Sequence, residues 1–405
     1  MIVRKDLEDN KSIGLSRETI DKLLIICILI KFLEGIKDVN EKHALSEIYD
    51  RHDVKSKKFE EALEKELCIP ILKELACKFK GKIFDISAKE RQEIEKAKLK
   101  SVAAFLTAKL DITKEHKQRF LWEQYNFNHL PVELISSIYE NFLQKEEDIR
   151  EKGVVYTPPF LVNFLIDEVM PLNKTAASEY FSEEKFKVLD PSCGSGVFLV
   201  AAYKRMLQWW SINYYEKTGE IKFPDLKVCQ EILENNIFGV DIEKTATLIT
   251  IFSLTIALLD KLEPKKIWNN LKLNSLQNNI KTQDFFEWAA NAKSEGKKFD
   301  LVIGNPPFND EKGESSHKIE PELVKKIGFK HEKVAGNKFA LQFFEGGMAL
   351  GKEVILIIPS SVLLYNRKAQ TYREQIFKDF TIEKIFDFTH LRRELFGSSD
   401  TPVCA

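Results

Sequence analysis

The sequence predicts an α/β protein: an open sheet over residues 151–405, preceded by an all-α domain over residues 1–150. Three observations predict it. First, short apolar runs at Lys187–Asp190, Ile237–Asp241 and Phe299–Ile303 each end on a polar or glycine turn, and the first two run on into apolar helical stretches. Second, residues before about 150 show helical spacing without strand alternation. Third, Leu301-Val302-Ile303-Gly304-Asn305-Pro306-Pro307-Phe308 drives an apolar strand into a rigid turn. Pro306 and Pro307 fix their own φ angles and restrict the residue before each. Asn305 and the Pro306 carbonyl are thus held at the carboxyl end of a strand, where open α/β sheets keep their ligands. Two acceptors on a stiff turn, followed by an aromatic ring, suit a planar –NH2 group carried on a ring that Phe308 stacks against. The bland alternative is a proline-stopped strand with an Asn turn and a core Phe.

The chain's 405 residues allow two cores. With 30% charged and 44% hydrophobic residues the composition is that of a globular protein. A net charge of -1 gives no global basic signature, so any nucleic-acid contact uses a local patch. The six cysteines are scattered with no Cys-x-x-Cys, which argues against structural zinc or a disulfide framework and fits a reducing cytosol. The longest apolar run, Leu23–Ile30, is too short to span a bilayer, and Met1–Lys22 lacks the layout of a secretory signal.

In chain order, Ser16 caps a helix ending near Gly35, and amphipathic segments follow at about 41–50, 57–79 and 88–110. Their Glu/Lys pairs read as solvated faces, and no nuclease pattern of spaced carboxylates and lysine is present. Phe127–Glu133 opens a helix with an apolar stripe from Val132 to Phe142, and Lys145–Lys152 reads as a linker. Thr157 is expected to cap a helix begun by Pro158 and Pro159; such a start can present N–H groups to a carboxylate or be ordinary.

Asp190-Pro191-Ser192-Cys193-Gly194-Ser195-Gly196 ends a strand and opens a helix over Val197–Leu207. Gly194 and Gly196 permit close backbone approach to a ligand, and Asp190 can accept from an ammonium or polarise the loop. The third glycine of a dinucleotide fingerprint is replaced by Leu199, so the site reads as nucleoside-like. After an inserted stretch, Trp209–Asn236, Asp241 ends the next strand, as an acid for ribose hydroxyls, as a helix N-cap, or as both. Asp284 can accept from an adenine amino group with Phe285 against the ring. Glu287–Lys298 reads as a polar connection and Asn309–Glu320 as a surface loop. Phe339–Leu350 and Tyr365–Phe380 read as helices, Val354–Pro359 and Ile382–Phe388 as strands, Phe396–Asp400 as a loop, and Thr401–Ala405 as the opening of a strand.

These motifs, in this order over residues 120–405, resemble an S-adenosylmethionine-dependent adenine-N6 DNA methyltransferase of the gamma arrangement. They are most similar to type I and type IIG restriction–modification methylases, including the Eco57I-like family. The resemblance implies a Rossmann-like methyltransferase sheet. It assigns Thr157, Asp190, Cys193, Gly194, Gly196, Asp241, Ile242, Asp284 and Phe285 to the cofactor, Asn305, Pro306, Pro307 and Phe308 to catalysis, and Phe396 to the side of the flipped base. It implies no metal, a cytoplasmic location and double-stranded DNA as partner. The family's target-recognition domain finds no room after the catalytic motifs, so recognition is expected from a further domain or subunit, and a restriction nuclease from elsewhere. Three rival readings remain: protein glutamine-N5 methylation, a catalytically idle cofactor- or DNA-binding subunit, and, as a poor third, a nicotinamide-dependent oxidoreductase.

Overall fold

The computed structural model describes residues 15–80, 83–97, 99, 102–103, 157–180, 186–259, 262, 264–271, 276–308, 319–331, 334, 338–396 and 402–405. The expected helix after Phe127, the linker at 145–152 and most of the loop at 309–320 lie outside them. The chain divides into two units: Met1–Leu143 with Ile251–Asn278, and Gln144–Thr250 with Asn279–Ala405. The first unit therefore takes in a segment that the sequence reading assigns to the second.

In the first unit, helix α1 (Arg17–Gly35) starts as expected: the Ser16 side chain accepts from the Thr19 N–H. Glu93, on helix α3 (Ala88–Lys96), in turn accepts from the Ser16 N–H at 3.0 Å. Helix α2 (Cys68–Phe79) runs between them in sequence. The expected solvated Glu/Lys faces need one correction. Glu34 and Glu60 are buried and share the Lys31 ammonium, at 2.7 and 2.8 Å. Glu34 also accepts from the Tyr49 hydroxyl and the Phe59 N–H, both at 2.6 Å. A charge taken out of water is tolerated only with such partners. Trp268 explains why residues 251–278 belong here: its ring meets Phe79 edge-on, and the Lys78 ammonium lies 4.4 Å from its centroid.

The second unit is built on five parallel strands: β1 (Val188–Asp190), β2 (Ile237–Asp241), β3 (Ile280–Thr282), β4 (Phe299–Gly304) and β5 (Gly351–Leu356). Their order is β3-β2-β1-β4-β5, with every neighbouring pair parallel. The expected α/β class is thus what the chain adopts. The strand order reverses between β1 and β4, the position at which open α/β sheets form a ligand crevice. Both strands are buried nearly throughout, as central parallel strands require.

Helix α4 (Pro159–Val169) precedes β1. Helix α5 extends over Val197–Thr218, well beyond the expected Leu207, because Trp209 stays buried and donates its Nε1–H to the Pro171 carbonyl at 2.9 Å. A further helix, Leu226–Asn236, closes the expected insertion after a non-helical stretch over residues 219–225. Helix α6 (Lys244–Leu259) follows β2. The expected polar connection at 287–298 is instead helix α7 (Phe285–Ser294). Its buried face is Trp288, Ala289, Ala290 and Ala292, and alanine, the strongest helix former, leaves little periodic signal.

Helix α8 (Phe339–Leu350) packs Phe343 on Phe285 and Phe286. The strand expected over Val354–Pro359 breaks at Ile357, whose N–H is held by the Gly304 carbonyl at 3.0 Å. Beyond it, β6 (Ile358–Pro359) pairs antiparallel with β7 (Val403–Cys404) in a separate two-stranded sheet. The helix expected from Tyr365 begins as a turn at Arg367–Ala369 and becomes helix α9 only at Gln370–Asp379. No strand forms over Ile382–Phe388: only its end finds a ladder partner, through the Asp387–Cys404 bridge.

Glu345, fully buried on α8, ties the outer layer together. Its Oε1 lies 2.8 Å from His331 Nδ1 and accepts from the Tyr372 hydroxyl of α9 at 2.8 Å, while Oε2 accepts the His331 N–H. His331 Nε2 lies 3.0 Å from Asp379 on α9. Glu345→Ala strips three buried groups of their acceptor at once. The expected loss is about 3 kcal/mol or more of unfolding free energy, read from urea denaturation midpoints.

Candidate functional site

The carboxyl ends of β1, β2 and β4 bring together most of the residues expected to act. Asp190 closes β1 and is 1% exposed. Burial pushes its carboxyl up to about 8, assisted by the nearby Asp241 charge and opposed by the Ser192 N–H, which donates to Oδ1 at 3.0 Å. An uncharged carboxyl at neutral pH becomes a good partner once a cation enters beside it.

The glycine turn is held from both sides. Gly194 and Gly196 have φ of +52° and +84°, conformations that favour glycine. The Gly194 N–H donates to Asp241 Oδ2 at 2.9 Å, and its carbonyl accepts from Thr250 Oγ1 of α6 at 2.7 Å. A Cβ on Gly196 would sit 2.9 Å from Thr250 Cγ2, whereas one on Gly194 would meet nothing within 4 Å. The turn is therefore closed toward α6 and open at Gly194. Cys193 lies inside it, 3% exposed, its N–H on the Val240 carbonyl and its thiol pushed up by burial, so its part is to pack.

Asp241 is half-buried. Oδ1 accepts the Glu243 N–H at 2.9 Å, and α6 begins only at Lys244, so Asp241 turns the chain toward the helix without being its N-cap, while its other oxygen holds the glycine turn. Burial pushes its carboxyl up, while the N–H groups of Glu243 and Gly194 pull it down. Next to it, Ile242 is an apolar side chain left 65% exposed at a strand end.

Asp284 follows β3 and caps α7, Oδ1 accepting the Phe286 and Glu287 N–H groups at 2.9 and 3.0 Å. Phe285 departs from the expectation. Its ring is 3% exposed and stacks on Phe343, centroids 5.1 Å apart and planes 12° apart, so it serves the core and presents no face to a ligand. Phe396 ends a short helix, Arg392–Phe396, and is 8% exposed, where the sequence reading has a loop; residues 397–401 lie outside the described residues.

Asn305–Phe308 leaves β4 without secondary structure, Pro306 buried and Asn305, Pro307 and Phe308 half-buried. The preceding Gly304, which sequence reasoning missed, controls the approach of β4 to β1: a Cβ there would lie 2.5 Å from Asp190 Oδ1. A glycine directly before Asn-Pro-Pro is the signal, although it reads like any turn glycine. Thr250 carries no sequence signal at all. Thr157 is not the helix cap. Pro158 takes the N-cap position of α4, and the buried Thr157 hydroxyl accepts from Asn305 Nδ2 at 2.9 Å. Two consecutive prolines shift the helix start by one residue and free the hydroxyl for that bond.

The residues present fit a group with a cationic end, a diol and a flat apolar part, as S-adenosylmethionine has. Asp190 offers a buried carboxyl, Gly194 an open edge, Asp241 keeps lone pairs for hydroxyls, Ile242 offers an apolar face, and Ser195 Oγ is buried with no partner among the described residues. Also among the described residues, no group of three or more His, Cys, Asp or Glu side chains is arranged to hold a metal ion, and no helix is long and apolar enough to cross a membrane.

Residues 235–394 match the family model described as Eco57I restriction-modification methylase. Similar curated proteins include the type II methyltransferase M.BstVI of Geobacillus stearothermophilus, 27% identical over 246 residues (60% of this chain, 39% of that protein). The type II restriction enzyme and methyltransferase RM.Eco57I of Escherichia coli is 28% identical over 225 residues (45% of this chain, 22% of that protein). The chain thus spans well under half the length of these relatives. Among solved structures, the type IIL restriction-modification enzyme MmeI in complex with DNA aligns with 99% of this chain and 55% of its own, at 14% identity and a TM-score of 0.57, a likeness of fold.

The Asp190 proton gives a test that needs no ligand. The folded protein keeps it up to pH about 8, whereas the unfolded chain releases it near 3.8. Stability from this group is full below the unfolded value and is lost as pH rises through the folded one. Asp190→Asn, with no proton to lose, is expected to gain on the native protein from pH about 4 to about 8 and to level off above, in paired urea titrations across that range.

Proposed function

We propose that this relative of the Eco57I-like restriction–modification methylases is an adenine-N6 DNA methyltransferase that uses S-adenosylmethionine. One observation carries the reading: Asn305-Pro306-Pro307-Phe308 emerges from β4 at the strand-order switch, next to the buried Asp190 carboxyl at the end of β1. When bound, S-adenosylmethionine supplies an electrophilic methyl group.

The chain's own residues do the rest. Asp190 receives the cofactor's ammonium and gives up its proton as it does so. Asp241 accepts from the ribose hydroxyls, Ile242 covers one face of the adenine ring, and Asp284 accepts from that ring's amino group with the oxygen not used in capping α7. The target adenine must leave the duplex, because its N6 is otherwise out of reach. Asn305 Oδ1 and the Pro306 carbonyl accept its two N6 hydrogens and Phe308 stacks on the ring, which orients the nitrogen lone pair; the proton then passes to water. Positioning and preorganised acceptors supply the rate. Phe396, with its ring inside the fold, supports the base side of the site from behind.

Double-stranded DNA is the proposed substrate, in the cytoplasm, with site choice supplied by a target-recognition domain or subunit and with a restriction nuclease as a companion activity. Modified-base sequencing of DNA from a host free of adenine methylation, expressing the complete gene, tests this. N6-methyladenine in one fixed context is expected; methylated glutamine in host protein with unmodified DNA would overturn it. Asn305→Ala is expected to abolish the mark while S-adenosylhomocysteine binding stays within about two-fold of native, by calorimetry. Asp241→Ala is expected to weaken that binding by about ten-fold or more, since it removes both the diol acceptor and the clamp on the glycine turn.

A further inference from the structure

A net charge of -1 leaves any nucleic-acid contact to a local patch, and the carboxyl edge of the sheet carries one. β4 and β5 are parallel and pair through Gly304 and Leu356, so the chain leaves β5 at the edge where Asn305 leaves β4. After β6, a short helix, Ser360–Leu363, leads into the loop Tyr365–Lys368. Side chains brace this loop. Arg373 of α9 donates to the Leu363 and Asn366 carbonyls at 2.6 and 2.8 Å. The Asn366 side chain accepts the Lys368 N–H at 2.9 Å, and the Tyr365 hydroxyl donates to Asp387. Phe386 and Phe388, on either side of Asp387, meet Phe164 of α4 edge-on, with centroids 5.1 and 6.3 Å from its own. The chain enters α4 beside the Asn-Pro-Pro turn, where Thr157 Oγ1 lies 2.9 Å from Asn305 Nδ2. The loop and Asn305 thus belong to one connected edge.

What the loop exposes is cationic and aromatic. Arg367 and Lys368 are exposed, and neither forms an ion pair among the described residues. By contrast Lys352 and Lys384, also exposed, are paired with Asp300 and Glu168 at 2.8 and 2.6 Å. The Tyr365 ring is 61% exposed although its hydroxyl is tied down. Asp387 spends both oxygens inside the protein, one on Tyr365 and one on the Thr389 N–H at 3.0 Å. Two adjacent cations on a braced loop need little further ordering to meet a polyanion.

We infer that Tyr365–Lys368 holds the sugar–phosphate backbone of the duplex beside the target base, with Arg367 and Lys368 on phosphate oxygens and the Tyr365 ring against a sugar. The inference rests on the DNA reading of the site and gives that substrate a surface. Backbone contacts fix register and carry no sequence information, so the loop strengthens binding to any duplex without choosing the methylated context.

The test uses the complete gene product and a fluorescein-labelled DNA duplex of mixed sequence, titrated by anisotropy between about 50 and 200 mM salt. Arg367→Ala with Lys368→Ala is expected to weaken binding about ten-fold and to reduce the slope of log affinity against log salt by about two. The paired glutamine substitutions stand in should the alanine protein not fold. Arg367→Lys with Lys368→Arg keeps both charges and is expected to keep the slope. Lys297→Ala with Lys298→Ala removes the same charge from exposed positions just before β4, at the opposite edge, and is expected to leave the slope native. The S-adenosylhomocysteine Kd and the methylated context are expected to stay native throughout. A native slope in the Arg367/Lys368 alanine protein overturns the inference alone. So does an equal loss in the Lys297/Lys298 protein, which would make the effect one of net charge, or an altered methylated context, which would make the loop a reader of bases. A native protein that binds no duplex removes the DNA reading and the inference with it. One that binds through this loop but methylates nothing removes the transfer reading and leaves the surface standing.

Discussion

The sheet-bearing unit depends on one close approach: the backbone of β4 passes Gly304 against the buried carboxyl of Asp190 on β1. Only a residue without a side chain lets the two strands hold that spacing with a carboxyl between their ends. The carboxyl in turn keeps the Ser192 N–H and so starts the glycine turn. The same contact sets the Asn-Pro-Pro turn beside the end of β1. Packing and polarity meet at this one seam of the sheet.

Asp241 is the second hinge of the site. A carboxylate at a strand end commonly caps the following helix. Here one oxygen turns the chain while the other reaches across to the neighbouring strand's turn. With Thr250 holding the Gly194 carbonyl, the turn is braced by side chains from two later elements before any ligand enters. Preorganisation of this kind reduces the ordering that binding would otherwise require.

The parts legible in the sequence were those in which local chemistry dictates geometry. Prolines announced the turn after β4, the Gly-x-Gly announced the turn after β1, and apolar runs announced the central strands. The parts that were not legible depend on distant partners. Helix α7 hides because alanines bury a face without a strong apolar period. Ile382–Phe388 has strand composition, but only its end meets a partner. Phe285 sits beside an acid in a ligand-like pair, yet Phe343, far along the chain, claims its ring. Thr157 carries the signature of a cap and spends its hydroxyl on Asn305.

The path of the chain between β2 and β3 has a further consequence. It leaves the sheet-bearing unit at Thr250, contributes Ile251–Asn278 to the other unit, and returns. During synthesis, the N-terminal unit cannot acquire its last segment until β1 and β2 have already emerged. The sheet cannot add β3 and β4 until that segment has been passed. Both units therefore close over long loops, whose entropy must be overcome before the contacts reward it. No single cut in the chain yields either unit whole, so assembly of the two is interlocked in time as well as in sequence.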